Sequence, residues 1–367
     1  MKIIFDYQIF SWQLYGGISR YFYEIANRIA ATKGNDVEVF APLYVNEYFR
    51  RGGGLRPRGL WISPSRRYVR AKYWINRIAS DWALRPRNDV DIFHETYFSQ
   101  TDHCPCSAKR IVTVCDMIHE IFPDLFPQDN TSEIKTSVVK RADHIICISE
   151  NTQRDLINFF NVPKDKTSVV HLGYSLTKEG AGEGSSVVGS PYILSVGNRK
   201  SYKNAERLLR VYAESSVLRN NFRLVFFGGE PFTESEYDMM KKLSLSSDNV
   251  MHLTGGDGLL TALYSGATAF VYPSLYEGFG MPPLEAMSLN CPVVCSNTSS
   301  IPEVVGDAAE LFNPEDEGGM LKAILNVVTS PARTADLIER GRMRCKQFSW
   351  DKCATDTLKV YAKILQQ

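Results

Sequence analysis

Two glutamates separated by seven residues flank a glycine turn in the stretch Pro273-Ser-Leu-Tyr-Glu277-Gly-Phe-Gly-Met-Pro-Pro-Leu-Glu285-Ala-Met. The stretch directly follows an apolar run, Ala269 to Tyr272, which reads as a strand. Gly278 and Gly280 allow a tight turn and close backbone approach to a ligand. Pro282 and Pro283 suit the first turn of a helix. A helix start offers unpaired N–H groups and a positive dipole end, which suit anionic oxygens or hydroxyls. Gly278-Phe279-Gly280-Met281 is therefore a candidate ligand-binding turn. Glu277 and Glu285 supply acceptors for hydroxyl donors. Without a ligand, the same residues would make a capped helix with two exposed glutamates.

These groups need a scaffold, and the rest of the chain provides its pattern. Short apolar runs at Lys2 to Asp6, Val37 to Phe40, Ile92-Phe93, Ile111 to Val114, His144 to Ile148 and Ser168 to His171 alternate with amphipathic stretches. A second series follows at Tyr192 to Val196, Arg223 to Phe227, Val250 to Leu253, Ala269 to Tyr272 and Val293-Val294. This alternation predicts α/β architecture, with parallel sheets covered on both faces. Gly180, Gly182, Gly184 and Gly189, interspersed with serines, mark residues 174–190 as a linker. The expected division is 1–173, then the linker, then 191–349, with a last helix over 350–367. Two doubly wound domains would hold a ligand at the carboxyl ends of their strands.

The motif order resembles family four of the glycosyltransferases across nearly the whole chain. Glu277 and Glu285 around Gly-Phe-Gly resemble the family signature. Gly16-Gly17-Ile18-Ser19-Arg20-Tyr21 resembles its N-terminal glycine loop, and Val196 to Asn204 its diphosphate clamp. Ser296 to Gly306 resembles the segment after the signature. Phe348-Ser349-Trp350 resembles the start of a terminal helix that returns to the first domain. The resemblance implies a GT-B fold and retaining transfer of a hexose, mannose-like and GDP-linked, from a nucleotide diphosphate. The implied acceptor is a glycan, free or polyprenyl-diphosphate-linked, in surface polysaccharide synthesis. No cofactor and no metal are expected: Arg199 and Lys203 are the natural cations for the leaving group. Gly16 and Gly17 would offer N–H groups to the phosphates, Glu285 would hold the ribose, and Glu277 the donor sugar or leaving group. On the acceptor side, Asp116 and His119 are alternatives for contacting a sugar hydroxyl, because Cys115 stands where many members have His. Two rival readings are a nucleotide-sugar epimerase and a catalytically silent homologue that acts as a binding partner.

Asp89-Val90-Asp91 has the letters of a metal-binding motif, but precedes a strand and reads as a capped turn. His103-Cys104-Pro-Cys106 matches no zinc template. The formal net charge is +1, which excludes a generic polyanion binder. From Arg50 to Arg87, however, eleven basic residues face one acid, Asp81, with Trp61, Tyr68, Tyr73, Trp74 and Trp82 interleaved. That composition suits an anionic membrane surface, and no nucleic-acid module accompanies it. The alternative is a solvated helix with its aromatics packed inward. No apolar run approaches a membrane span, and Met1 to Phe5 is too short for a signal peptide. A cytoplasmic enzyme, peripheral at the inner face of the membrane, is the expectation.

Overall fold

A computed structural model describes residues 1–176, 187–199 and 201–366. The chain divides into two compact units, Met1–Gly173 with Trp350–Gln367, and Tyr174–Ser349.

The first unit is built on seven parallel strands: β1 (Lys2–Phe5), β2 (Asp36–Tyr44), β3 (Arg58–Trp61), β4 (Ile92–Glu95), β5 (Lys109–Val114), β6 (His144–Cys147) and β7 (Thr167–Val169). Their order is β3-β2-β1-β4-β5-β6-β7. Central strands are apolar on both faces, as a doubly covered sheet requires: Ile3, Ile4, Phe5, Ile92, Ile111, Val112, Ile145 and Ile146 are buried. The terminal helix Trp350–Leu365 packs on the helix Gly17–Ala31. A buried polar chain ties it down: Tyr361 Oη lies 2.5 Å from His94 Nδ1, and His94 Nε2 lies 2.9 Å from Thr113 Oγ1. Burial pushes the His94 imidazole down to about 3, so both ring nitrogens serve as uncharged hydrogen-bonding groups.

The second unit has six parallel strands: β8 (Tyr192–Val196), β9 (Arg223–Phe227), β10 (Val250–Leu253), β11 (Ala269–Tyr272), β12 (Val293–Ser296) and β13 (Ala309–Phe312). Their order is β10-β9-β8-β11-β12-β13. Ile193, Leu224, Phe226, Val271 and Val294 join residues such as Leu208, Leu209 and Ile324 in one core. Two edge strands, β3 and β13, went unpredicted. β3 is three-quarters exposed and β13 alternates between buried ends and a more exposed middle, so neither carries a continuous apolar run.

Of the expected linker 174–190, residues 177–186 lie outside the described residues. Its flanks fold onto the second unit. Leu176 and Val188 are buried, Ser288 Oγ donates to the Leu176 carbonyl at 3.2 Å, and Arg223 Nη1 donates to that of Val188 at 3.1 Å.

Candidate active site

In the second unit, β8 sits between β9 and β11, where the direction of strand succession reverses. Open α/β sheets bind ligands outside the carboxyl ends of the strands at such a point. Gly197, Asn198 and Arg199 leave β8 there, and Pro273 and Ser274 leave β11; with Lys203 they line a small cavity. Lys203 Nζ meets both Glu277 oxygens, at 2.6 and 2.9 Å. Burial, with the Glu277 carboxylate beside it, pushes the Tyr272 phenol well above its ordinary value. The structure thus brings Lys203 and Glu277 together.

Arg199 has other partners. Its Nε donates to Glu236 Oε1 at 2.6 Å, and its Nη2 to the Glu230 and Pro231 carbonyls at 2.6 and 3.1 Å. The guanidinium also lies over the Phe232 ring, 4.6 Å from its centroid. Its bonding capacity is spent on the segment after β9, because that segment carries an acid and three acceptors within its reach.

The turn from Pro273 to Gly280 is almost wholly buried, so its backbone groups need partners. Asn204, itself left-handed at φ 60°, donates from Nδ2 to the Pro273 and Pro314 carbonyls. Thr298 Oγ1 donates to the Leu275 carbonyl at 3.1 Å. Ser299 Oγ accepts from the Glu277 N–H at 3.0 Å. Ser300 Oγ reaches the Glu277 and Phe279 carbonyls, each at 2.8 Å. This hydroxyl clasp was missed from sequence, although the run Thr298-Ser299-Ser300 was its signal. Gly280 takes φ 105° as N-cap of the helix Met281–Ser288, a conformation that disfavours any side chain. Phe279 packs edge-on against Phe348. Glu285 is buried inside that helix, and its carboxylate, after burial itself, helps raise the Tyr264 phenol.

The first unit offers a second small cavity at the ends of β4 and β5, lined by residues that include Thr96, Tyr97, Phe98, Asp116, His119 and Lys135. Asp116 and His119 therefore share one site. Asp116 Oδ1 accepts the Ile118 N–H at 3.1 Å. His119 Nε2 lies 3.4 Å from Asp129, while its Nδ1 is buried without a hydrogen-bond partner. Sequence reasoning missed Lys135, whose side chain is buried. It pairs with Glu120 at 2.7 Å and donates to the Asp116 carbonyl at 3.0 Å. Its spacing with Val138 and Val139 on the inward face of the helix Thr131–Arg141 was the available signal. A buried pair of this kind fixes geometry more than it stabilises.

At the glycine loop, Gly17 opens the helix Gly17–Ala31, and Gln13 Oε1 accepts the Ser19 N–H at 3.1 Å. A side chain on Gly16 would collide with Gln13. The first turn of this helix is thus partly capped from within. Asp89 and Asp91 lie at the amino ends of the strands, where Lys2 and Arg87 hold them. No metal-binding cluster occurs among the described residues, and all eight cysteines are free thiols.

Five arginines of the basic segment have acidic partners. Arg50 and Arg51 pair with Glu47, Arg58 and Arg87 with Glu38, and Arg85 with Asp81. The aromatics do not pack inward. The helix Val69–Leu84 buries Asn76, Ser80 and Leu84, and turns Trp74 (54% exposed), Ile78 (63%) and Trp82 (86%) outward. The side chain of Arg66 lies outside the described residues.

Residues 15–178 match the family model Glycosyltransferase Family 4, and residues 182–344 match Glycosyl transferases group 1. O-antigen chain mannosyltransferase B of Escherichia coli is 28% identical, covering 98% of this chain and 99% of its own length. The sucrose-phosphate synthase of Thermosynechococcus elongatus shares the fold with a TM-score of 0.75 at 18% identity, over 100% of this chain and 99% of the other. Anabaena HepE, solved with UDP and glucose, does so with a TM-score of 0.74 at 15% identity, over 99% and 100%. Two Rossmann-like halves are common to all three structures.

Proposed function

The chain belongs to the GT-B glycosyltransferases that join a Family 4 half to a group 1 half, and from that premise we propose that it is a retaining, metal-independent hexosyltransferase. The donor is a mannose-like hexose on a nucleotide diphosphate, GDP-linked. The acceptor is a glycan or lipid-linked glycan of a surface polysaccharide. The sugar assignment draws on the E. coli relative, which aligns end to end and is named for mannosyl transfer.

The observation that carries the reading is the Lys203–Glu277 pair at the switch point of the second unit, beside a glycine-capped helix start. When the diphosphate departs, Lys203 is the fixed cation that meets its growing charge. Arg199 adds to it only by leaving Glu236. Glu277 orients Lys203 and accepts a donor-sugar hydroxyl; Glu285 takes the ribose. In the front-side displacement we favour, the acceptor hydroxyl bonds to the anomeric carbon as the bond from that carbon to the phosphate oxygen breaks. The acceptor proton passes to the leaving phosphate. The protein then contributes position and charge, and no carboxylate nucleophile is required.

A ligand that binds only the folded chain raises its stability. The test is a thermal-shift screen of GDP, UDP and ADP with their hexose conjugates, in excess chelator. Stabilisation by GDP and GDP-mannose supports the reading. Stabilisation by UDP-sugars alone overturns the donor, and dependence on a divalent ion overturns metal independence.

The outward apolar stripe Trp74, Ile78 and Trp82, with Arg67, Arg70 and Arg77 around it, favours docking on an anionic bilayer. Apolar side chains would enter the interface and the arginines would meet headgroups. No helix among the described residues is long and apolar enough to cross a membrane.

A further inference from the structure

The first unit contains a cavity of about 470 Å³ lined by Tyr7, Ser11, Trp12, Val69, Arg70, Lys72, Tyr73, Trp74 and Asn76. Its size is within the range of small-ligand sites. One wall is rigid. Asn76 Nδ2 donates to Ser11 Oγ and the Leu43 carbonyl, its Oδ1 accepts the Leu43 N–H, and Lys72 Nζ donates to the Ser11 carbonyl. Tyr7, only 2% exposed, differs: its hydroxyl lies against the Gln8 amide in a contact short of good hydrogen-bond geometry, and it makes no other among the described residues. Leaving a buried hydroxyl unsatisfied is costly, so a ligand atom is the natural partner. Trp12 connects this cavity to the one that holds Asp116 and His119. Its ring lies 5.6 Å from that of Tyr97, which lines the second cavity.

We propose that this cavity is a subsite for a sugar ring of the acceptor glycan, one or more residues beyond the hydroxyl that is glycosylated. The inference rests on the chain being a glycan-extending transferase. A pyranose presents C–H groups on its faces and hydroxyls on its edge. The indole and phenol rings of Trp12 and Tyr73 cover the faces. Tyr7 Oη takes one edge hydroxyl. A hydrocarbon chain would fill the apolar volume but leave the Tyr7 hydroxyl unpaired, which favours sugar over lipid.

The test uses the full chain and its intrinsic tryptophan fluorescence, since Trp12 and Trp74 line the cavity. Trisaccharides of mannose, glucose and galactose are titrated, and in parallel anionic vesicles of phosphatidylglycerol. At least one trisaccharide should change the emission saturably, and Trp12→Ala and Tyr73→Ala should weaken it at least tenfold. Tyr7→Phe should weaken it several-fold while unfolding at the same or a higher temperature than wild type, because the hydroxyl it removes makes no well-formed hydrogen bond in the free chain. In transfer assays, Tyr7→Phe should raise the KM for the trisaccharide more than that for the monosaccharide. The subsite is overturned if no trisaccharide changes the emission, or if the three variants bind trisaccharide as wild type does. Saccharide binding without release of nucleotide from any nucleotide sugar would sink the transferase reading but keep the subsite. Transfer with unaltered acceptor KM in all three variants would do the reverse.

Discussion

The Pro273–Gly280 turn and the helix Val69–Leu84 solve opposite problems. The turn is irregular backbone yet almost entirely buried, and hydroxyls of Thr298, Ser299 and Ser300 satisfy its polar groups. The helix satisfies its own backbone, yet it buries Asn76 and Ser80 and leaves tryptophans in the open. An element that spends side chains on immobilising a loop is built to hold something in fixed geometry. An element that exposes apolar rings is built to meet a surface. On the function proposed above, the contrast is one between chemistry at the second unit's strand ends and docking at the first unit's flank.

The largest expected effect breaks the first half of that contrast. Lys203→Ala removes the cation that pairs with Glu277 and should lower kcat about 10²- to 10³-fold, the usual cost of losing one charge-stabilising donor. Steady-state kinetics check it, and an unchanged kcat would move the chemistry elsewhere. Glu285→Ala comes next. Loss of a charge-assisted hydrogen bond to ribose should cost about 1.5–3 kcal/mol, read by calorimetry as weaker binding of the free nucleotide diphosphate whatever sugar it carries. The second half of the contrast is tested by changing Trp74, Ile78 and Trp82 together to serine. Sedimentation with anionic vesicles should fall several-fold, and stability should move by only about 0.5 kcal/mol per site, as for other exposed positions. Arg67→Ser with Arg70→Ser should cost less, and raised salt should mimic it.

The smallest effect is one of pH, and it should separate the two units. Burial holds His94 down at about 3 and His144 down at about 4. Unfolded imidazoles take a proton near pH 6.5, so between there and about pH 4 the unfolded chain binds more protons. The stability these residues contribute is present above that window and is lost as pH falls through it. Asp6, raised to about 7 chiefly by burial, acts in the opposite sense: its contribution is present at low pH and fades from about pH 4 to 7. All three lie in the first unit, so its unfolding should respond to pH more than that of the second. His94→Gln should flatten the acid limb, as urea titrations at successive pH values would show.

Much of the architecture was legible because apolar runs of both sheets stand in register with their strands, from Lys2–Phe5 to Val293–Ser296. The glycine turn was legible for a local reason: only a residue like Gly280 takes φ 105° comfortably at a helix start. Partnership was not legible. Arg199 and Lys203 look alike in sequence, yet one is drawn to Glu236 and the other to Glu277, 37 and 74 positions away. The partners of residues 50–87 were out of view for the same reason, since Glu38 and Glu47, outside that window, pair with four of its arginines. Nor could periodicity reveal that the buried Tyr7 hydroxyl makes no well-formed hydrogen bond, because that depends on where the fold places it.

The central claim is tested most directly by the anomeric configuration of the product. The full chain is incubated with GDP-α-mannose and a mannosyl trisaccharide in excess chelator, and the product is read by proton NMR as it forms. The account predicts release of GDP with a new α-linked mannose. A β-linkage, or mannose transfer that appears only when a divalent metal is restored, would contradict it.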